Sequence, residues 1–596
     1  MRRSLCNTLR IFLALAVALS FLAGTIKSVQ AVTCEWEGDQ STDWFAPANW
    51  TCEHVPVAAD EVSISSGTLN QPTIGQMQSV TVSTITINAG ATLTILDGSA
   101  VNANTWTAGG NVTANTAASL IYINIFTPGG VVNVGPTGSI TKLGTGDLII
   151  YSTFNNAGTV SGAESGTYDG GVVLIRGGAH TGIFQGVHLY IGNNDEASGQ
   201  VFNFNSESQL RVNQLHARGG TVNLFGSISQ PENTGTALFV QPSNGTSVVY
   251  FKTGLGILKM PETTFIENGG KLILEAQSND YSMKKLNLEY NGELQNLDNL
   301  NITTQFNWLA GKLTGNGTTT VDATATFTMG TSGYPQNDFT LDEQRLVNNT
   351  TANWIKRDLT LANAAEFINY GTFNANATTT MNGGETVTFT NNGNFYKNTL
   401  ATTTTMNVGF VNDGLVQVNA GSLVFPLGMD NGENTTINLN GGTLDPGDNL
   451  TLEIGDSLIG SGTLAANLVN GGTVSPGESP GIITVHGDYT QQTDGVLEIQ
   501  LGGTTAGTGH DQLVVTGTAT MNGTLNVTLM TGFTPQAGNT FFIIDHTTVT
   551  GTFETVNLPD LDGGLELEAD FSDEGVTLTV VSTSTDTFIF LPLIIK

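Results

Sequence analysis

Asn369-Tyr370-Gly371-Thr372-Phe373 returns as Asn412-Asp413-Gly414-Leu415-Val416, with Asn156-Ala157-Gly158-Thr159-Val160 and Asn470-Gly471-Gly472-Thr473-Val474 as further copies and Asn392 to Phe395 as a compressed one. Gly371, Gly393 and Gly414 follow one another at intervals of roughly 22 residues, a period that marks stacked repeats. Each unit reads apolar, Asn, any residue, Gly, any residue, apolar. Asn tolerates a left-handed backbone and stacks in amide ladders, Gly is expected at positive φ, and the apolar residue after the turn points inward. One such rung cannot bury its apolar side alone, so the repeats must stack.

Outward from this stretch the same grammar holds. Val80-Thr81-Val82-Ser83-Thr84-Ile85-Thr86-Ile87 alternates apolar and polar residues, the mark of a strand. The 596 residues include 73 Gly, and charged residues make up 12%, about half the usual share. Thr, Asn, Ser and Gly fill the polar positions, which favours strands and turns over helices. The fold class expected is all-β: a right-handed parallel β-helix or solenoid with an N-terminal cap and a C-terminal β-sandwich-like domain.

The expected organisation has five parts: a signal peptide over 1–31, a Trp-rich cap over 32–75, a β-solenoid of roughly 22-residue rungs over 76–503, a β-sandwich-like domain over 504–581, and a linker with a short apolar tail over 582–596. Arg2 and Arg3, the apolar stretch Ile11 to Gly24 and the small-residue site Val29-Gln30-Ala31 form the export signal. That stretch is too short to span a membrane, and so is the tail around Leu591-Pro592-Leu593. No transmembrane segment is expected. Removing the signal takes away Arg2, Arg3, Arg10 and Lys27 and no acid, which moves the net charge from −32 to −36. Such a surface repels nucleic acid and stays soluble.

Once the signal is gone, Cys34 and Cys52 are the only cysteines. In an oxidising exterior they are expected to form a disulfide. A zinc site would need further close ligands, and only His54 is near; no metal or cofactor is expected beyond calcium held loosely by the acidic surface. Trp36, Trp44 and Trp50 lie in or beside this loop. They either fill the cap core or present flat faces for stacking on sugar rings.

Three stretches invite a catalytic reading. Gly477-Glu478-Ser479-Pro480-Gly481 has the form of a nucleophile elbow, but Pro480 removes an N–H that an oxyanion hole needs and a strand follows where a helix is required. Gly507-Thr508-Gly509-His510-Asp511 is a single copy of a calcium-binding β-roll unit, which works only in consecutive copies. Arg176, His180, His188, Arg211, His216 and Arg218 concentrate basic chemistry, with Asp169, Asp195 and Glu196 nearby in sequence. Of these, His180, His188, His216, Arg176 and Arg211 are the candidate catalytic residues of a polysaccharide lyase or hydrolase; a hydrolase would need two carboxylates converging on the same groove.

Trp36-x-Gly38, Asp43-Trp44, Asn49-Trp50 and Val55-Pro56, the Asn-x-Gly rungs, Pro476 to Gly481, Gly487-Asp488-Tyr489 and Asp511-Gln512-Leu513 together resemble bacterial secreted parallel β-solenoid surface proteins. These are akin to autotransporter passengers and filamentous adhesins, although the sequence shows no β-barrel translocator. The resemblance implies a secreted, extracellular protein attached to the bacterial cell surface, structural or adhesive. Its implied partners are extracellular glycans or other surface proteins. A polysaccharide-active enzyme or glycan-binding protein is the alternative.

Overall fold

The computed structural model describes residues 30–583 apart from 117–118, 124–129, 163–170, 193–198, 226–236, 243–245, 253–259, 278–279, 331–338 and 478–479. The expected signal peptide up to residue 29, Asp169, Asp195, Glu196, Glu478, Ser479 and the apolar tail from 584 onward lie outside the described residues. Strands dominate, and parallel coils stack into a β-solenoid of about 17 turns in all. The chain divides into two compact units, 1–187 and 188–596.

In the first unit one wall runs Glu61–Ile64, Ser79–Ile87, Ala100–Ala108, Val131–Val134 and Leu148–Asn156, all in parallel register. A second parallel wall runs Thr73–Ile74, Thr92–Leu96, Asn111–Asn115, Ser139–Leu143, Thr159–Gly162 and Ile183–Gln185. Strand alternation sends every second residue inward. Leu93, Val112, Ile140, Val160 and Phe184 therefore form one buried column.

The cap opens this unit. Cys34 and Cys52 are disulfide-bonded, and Thr33–Glu35 pairs in parallel with Glu61–Ile64. Trp50 meets both Trp36 and Trp44 edge to face, at 4.8 and 4.7 Å between ring centres. The Trp50 indole donates to the Trp44 carbonyl and the Trp36 indole to the Asn70 carbonyl. Gly38 permits that closure: at φ +62° a Cβ there would sit 2.2 Å from the Asn70 oxygen.

The second unit explains the Asn-x-Gly motif. Asn348, Asn369, Asn391 and Asn412 stand at the ends of successive strands with zero exposure. Each donates from Nδ2 to the next Oδ1, at 2.7, 2.8 and 2.9 Å, and Asn412 passes the chain to Asn431 at 3.2 Å. Asn391, followed by Asn392-Gly393, carries the motif in the middle copy, so that copy is not compressed. The glycines serve a different purpose from the one the sequence suggests. Gly371, Gly393 and Gly414 are absent from the positive-φ positions. A Cβ on each would lie 2.1 to 2.2 Å from a carbonyl oxygen of the preceding coil, so a bare Cα is what allows the coils to approach.

Over 504–581 the chain is all-β, as expected, with a pairing that continues the solenoid before it closes. Gln512–Met521 lies parallel to Ile482–Val485, Thr524–Leu529 to Val496–Leu501, and Thr555–Asn557 to Thr524–Leu529. Only Gly575–Ser582 turns antiparallel, against both Thr540–Gly551 and Leu565–Ser572. The Asn-x-Gly unit ends here because the coils lengthen and their turns no longer coincide.

Replacing Asn391 with Ala should cost about 2–4 kcal/mol, since it removes a buried hydrogen-bond partner from Asn369, Asn412 and the Leu415 carbonyl at once. Asn374→Ala, on the half-buried outer ladder, should cost under about 1 kcal/mol. Urea unfolding of the two variants checks the difference, and equal losses would show that the inner ladder carries no special weight.

Candidate functional site

The basic stretch singled out from sequence falls across both units, and its members sit in unlike environments. In the first unit His180 is fully buried, packed against Phe154 at 5.7 Å and Phe184 at 5.4 Å. Burial drives its pKa down to about 3. A neutral imidazole held between two phenyl rings cannot reach a substrate. Arg176 precedes it, half-buried at the end of Val172–Arg176.

In the second unit, register decides which side chains meet. His188 pairs with Gln214 and Tyr190 with His216; His216 then aligns with Phe239 and Phe239 with Phe265. The result is a column of stacked rings at 4.7, 4.3 and 4.7 Å, nearly parallel beyond His216. The Arg218 guanidinium lies 4.2 Å from the Tyr190 ring centre, and His216 Nε2 bonds the Gln214 amide oxygen at 2.9 Å. Burial lowers the His216 pKa to about 3, with the charges of Arg218 and His188 acting the same way. Arg211, at the end of Gln209–Arg211, is exposed. His216 is thus a member of the stack, neutral at ordinary pH, where the sequence offered it as a catalytic base.

Beside the ring column runs a column of turn residues: Arg218, Gln241, Glu267 and Glu289 follow the strand ends Ala217, Val240, Ile266 and Leu288. Gln241 donates to Glu267 at 2.7 Å. Burial raises the Glu267 pKa, and the neighbouring Glu289 raises it further; Glu289 itself is raised by burial. Nothing in the sequence marked these two glutamates, which stand a full coil apart along the chain and meet only through the fold.

Trp36, Trp44 and Trp50 have at most 2% exposure. No ring face is left for a sugar, and the packing reading of these residues is the one their geometry fits. Asp511 also has a structural place. It is buried, accepting the backbone N–H of Gly481 on one oxygen and of Gln500 on the other at 2.8 Å each. Burial pushes its pKa up to about 6 against those two hydrogen bonds. Both oxygens are engaged, which leaves no free carboxylate for the calcium motif. Around the nucleophile-like stretch, Gly477 sits at φ +85° and Ile482–Val485 forms the strand that argues against an elbow.

Residues 35–167 match the model of a domain of unknown function, DUF8693, which falls within the first unit. No curated protein matches the chain.

Two outcomes follow from these positions. Trp50→Ala removes a ring that two others pack against and should destabilise the protein by about 3–5 kcal/mol, without altering glycan binding per folded molecule; selective loss of binding in a fully stable variant would restore the sugar-stacking reading. His180 stays neutral in the folded state down to about pH 3, whereas in the unfolded chain it takes up a proton below about 6.5. Unfolding therefore gains a proton in that window, and stability falls as pH drops from about 6.5 toward 3. His180→Leu should remove about 2 kcal/mol of the loss between pH 7 and 5, as read by denaturant titration at both values.

Proposed function

We propose that this chain is an exported, non-enzymatic protein of the bacterial cell exterior, structural or adhesive, that presents the walls of its β-solenoid to extracellular glycans or to other surface proteins. The observation that carries this reading is the repetition of the outer surface. Asn374 donates to Asn353, Asn398 to Asn374, Asn419 to Asn398 and Asn440 to Asn419, at 3.0, 3.1, 2.6 and 2.9 Å. A surface of identical amides spaced by the coil repeat suits a partner that is itself repetitive. The disulfide of the cap supports an oxidising location, and the strongly negative charge supports a well-solvated exterior. Two candidate histidines are committed to packing, which supports a non-enzymatic role.

One observation favours a polysaccharide-active alternative. Glu267 and Glu289 follow equivalent strand ends one coil apart, where coils stack at about 4.8 Å, and burial raises both carboxyl pKa values. A retaining glycosidase needs two carboxyl groups about 5–5.5 Å apart, which side chains on adjacent coils can supply.

The two readings part in a single comparison. Protease added to intact cells should remove the protein, and the purified chain should bind surface glycans on an array without releasing sugar products. New reducing ends or unsaturated sugars, lost in Glu267→Gln, would establish the enzyme instead, and a protein protected from protease in intact cells would overturn the surface role.

A further inference from the structure

We infer that the cap holds a latent metal site, closed while Cys34 and Cys52 are bonded and opened when a thiol reductant separates them. The two sulfurs and a ring nitrogen of His54 lie within 4.8 Å of one another. Two thiolates and one imidazole form a donor set for a zinc-class ion, whose ligands stand about 2.0–2.3 Å from the metal in a tetrahedron. Modest side-chain rotations would gather these three groups once the sulfurs part.

The histidine is already oriented for this. Its Nε2 bonds Asp60 Oδ2 at 3.0 Å, and its Nδ1 donates to the Cys52 carbonyl at 2.8 Å. Asp60 has zero exposure and is pinned by the backbone N–H groups of Val57 at 2.9 Å and Val32 at 3.3 Å. Once the Cys52 carbonyl gives up Nδ1, a carboxylate that grips Nε2 and leaves the other nitrogen for the ion is the arrangement that positions metal-bound histidines. Asp60 is thus a positioning residue. The scaffold around the sulfurs does not depend on the disulfide alone: Cys34 lies in a paired strand, register Cys34 to Val62, and the three tryptophans interlock beside it.

The chemistry balances. A dithiol reductant gives two electrons and two protons to the Cys34–Cys52 bond and leaves as its own disulfide. The metal then displaces the two thiol protons, and any proton on the ligating His54 nitrogen, to solvent. Water completes the fourth position.

Cobalt(II) titration of the full chain tests this, because thiolate–cobalt bonds give charge-transfer absorption that free cobalt lacks. Reduced, desalted protein should bind one equivalent and release it to zinc, and oxidised protein should bind none. His54→Gln, whose amide can still donate to Asp60, should weaken binding of the reduced form roughly tenfold or more. Near-ultraviolet circular dichroism of the tryptophans follows the cap: its signal should persist on reduction or return with metal. The proposal fails if reduced protein shows no charge-transfer band, if the oxidised form binds equally, if His54→Gln matches the wild type, or if metal leaves a lost tryptophan signal unrestored.

Discussion

The buried amide ladder from Asn348 to Asn431 is the constraint on which the second unit depends. Each side chain also ties backbone: Asn369 donates to the Asn394 carbonyl and Asn391 to that of Leu415. A buried amide without partners costs several times what a satisfied one contributes. Every coil must therefore bring its Asn to the same height and side as the one before, and a slip of one residue would strand two amides at once. The ladder sets register more sharply than the aliphatic core can, because apolar contacts are non-directional. Phe367, Phe389 and Phe410 stack in the register so defined.

The same logic accounts for some of the acidity. From 398 to 595 the chain contains no Lys or Arg, which looks like a surface built for cations. Yet several acids serve as staples between coils. Asp358 accepts the N–H of Thr380, Asp456 that of Thr435 and Asp488 that of Thr518; in the first unit Asp97 and Asp147 do the same for Ser119 and Gly171. A carboxylate takes up a turn N–H that would otherwise lack a partner. Its charge follows from that service. The ring column from Tyr190 to Phe265 is likewise directed along the stack. Its inner rings turn their faces to each other and present edges outward, which favours mutual packing over sugar stacking.

The features legible in the sequence were those written in local order. The Asn-x-Gly period and the disulfide could be read there, whereas the cap tryptophans left packing and sugar stacking both open until their burial decided it. The role of Gly371 could not, because the carbonyl it makes room for belongs to Thr350 in the preceding coil. The cluster from Arg176 to Arg218 survives the fold only in part, with His188, His216 and Arg218 acting on one another while His180 and Arg211 do not join them. Strand alternation sends His180 into the core and leaves Arg211 exposed, while coil register places His216 between Tyr190 of the coil before and Phe239 of the coil after. Asp60 and the pair Glu267 and Glu289 were invisible for the converse reason, that unremarkable residues acquire chemistry only when folding brings them together.

Where the ladder forbids variation, the chain varies elsewhere. Thr379 pairs with Thr404 and Asn391 with Asn412, so the step to the next coil is longer at the first end of this strand than at its last. The surplus is absorbed by bulges between Asn382 and Thr388, within the strand Thr379–Asn391 and before the ladder position. Once the ladder ends, steps between equivalent strands change freely: Ser457 reaches Thr473 by a short coil, whereas Val496 pairs with Thr524 and Thr524 with Thr555 across much longer ones. The turn at Leu400 exposes its apolar side chain to 79% while staying tied to the coil before it, since the Thr399 hydroxyl donates to the Asn376 carbonyl and Asn398 to Asn374. Recognition that differs from coil to coil is accommodated best at exposed turn side chains such as Leu400, since a change in either Asn ladder is felt by the neighbouring coils.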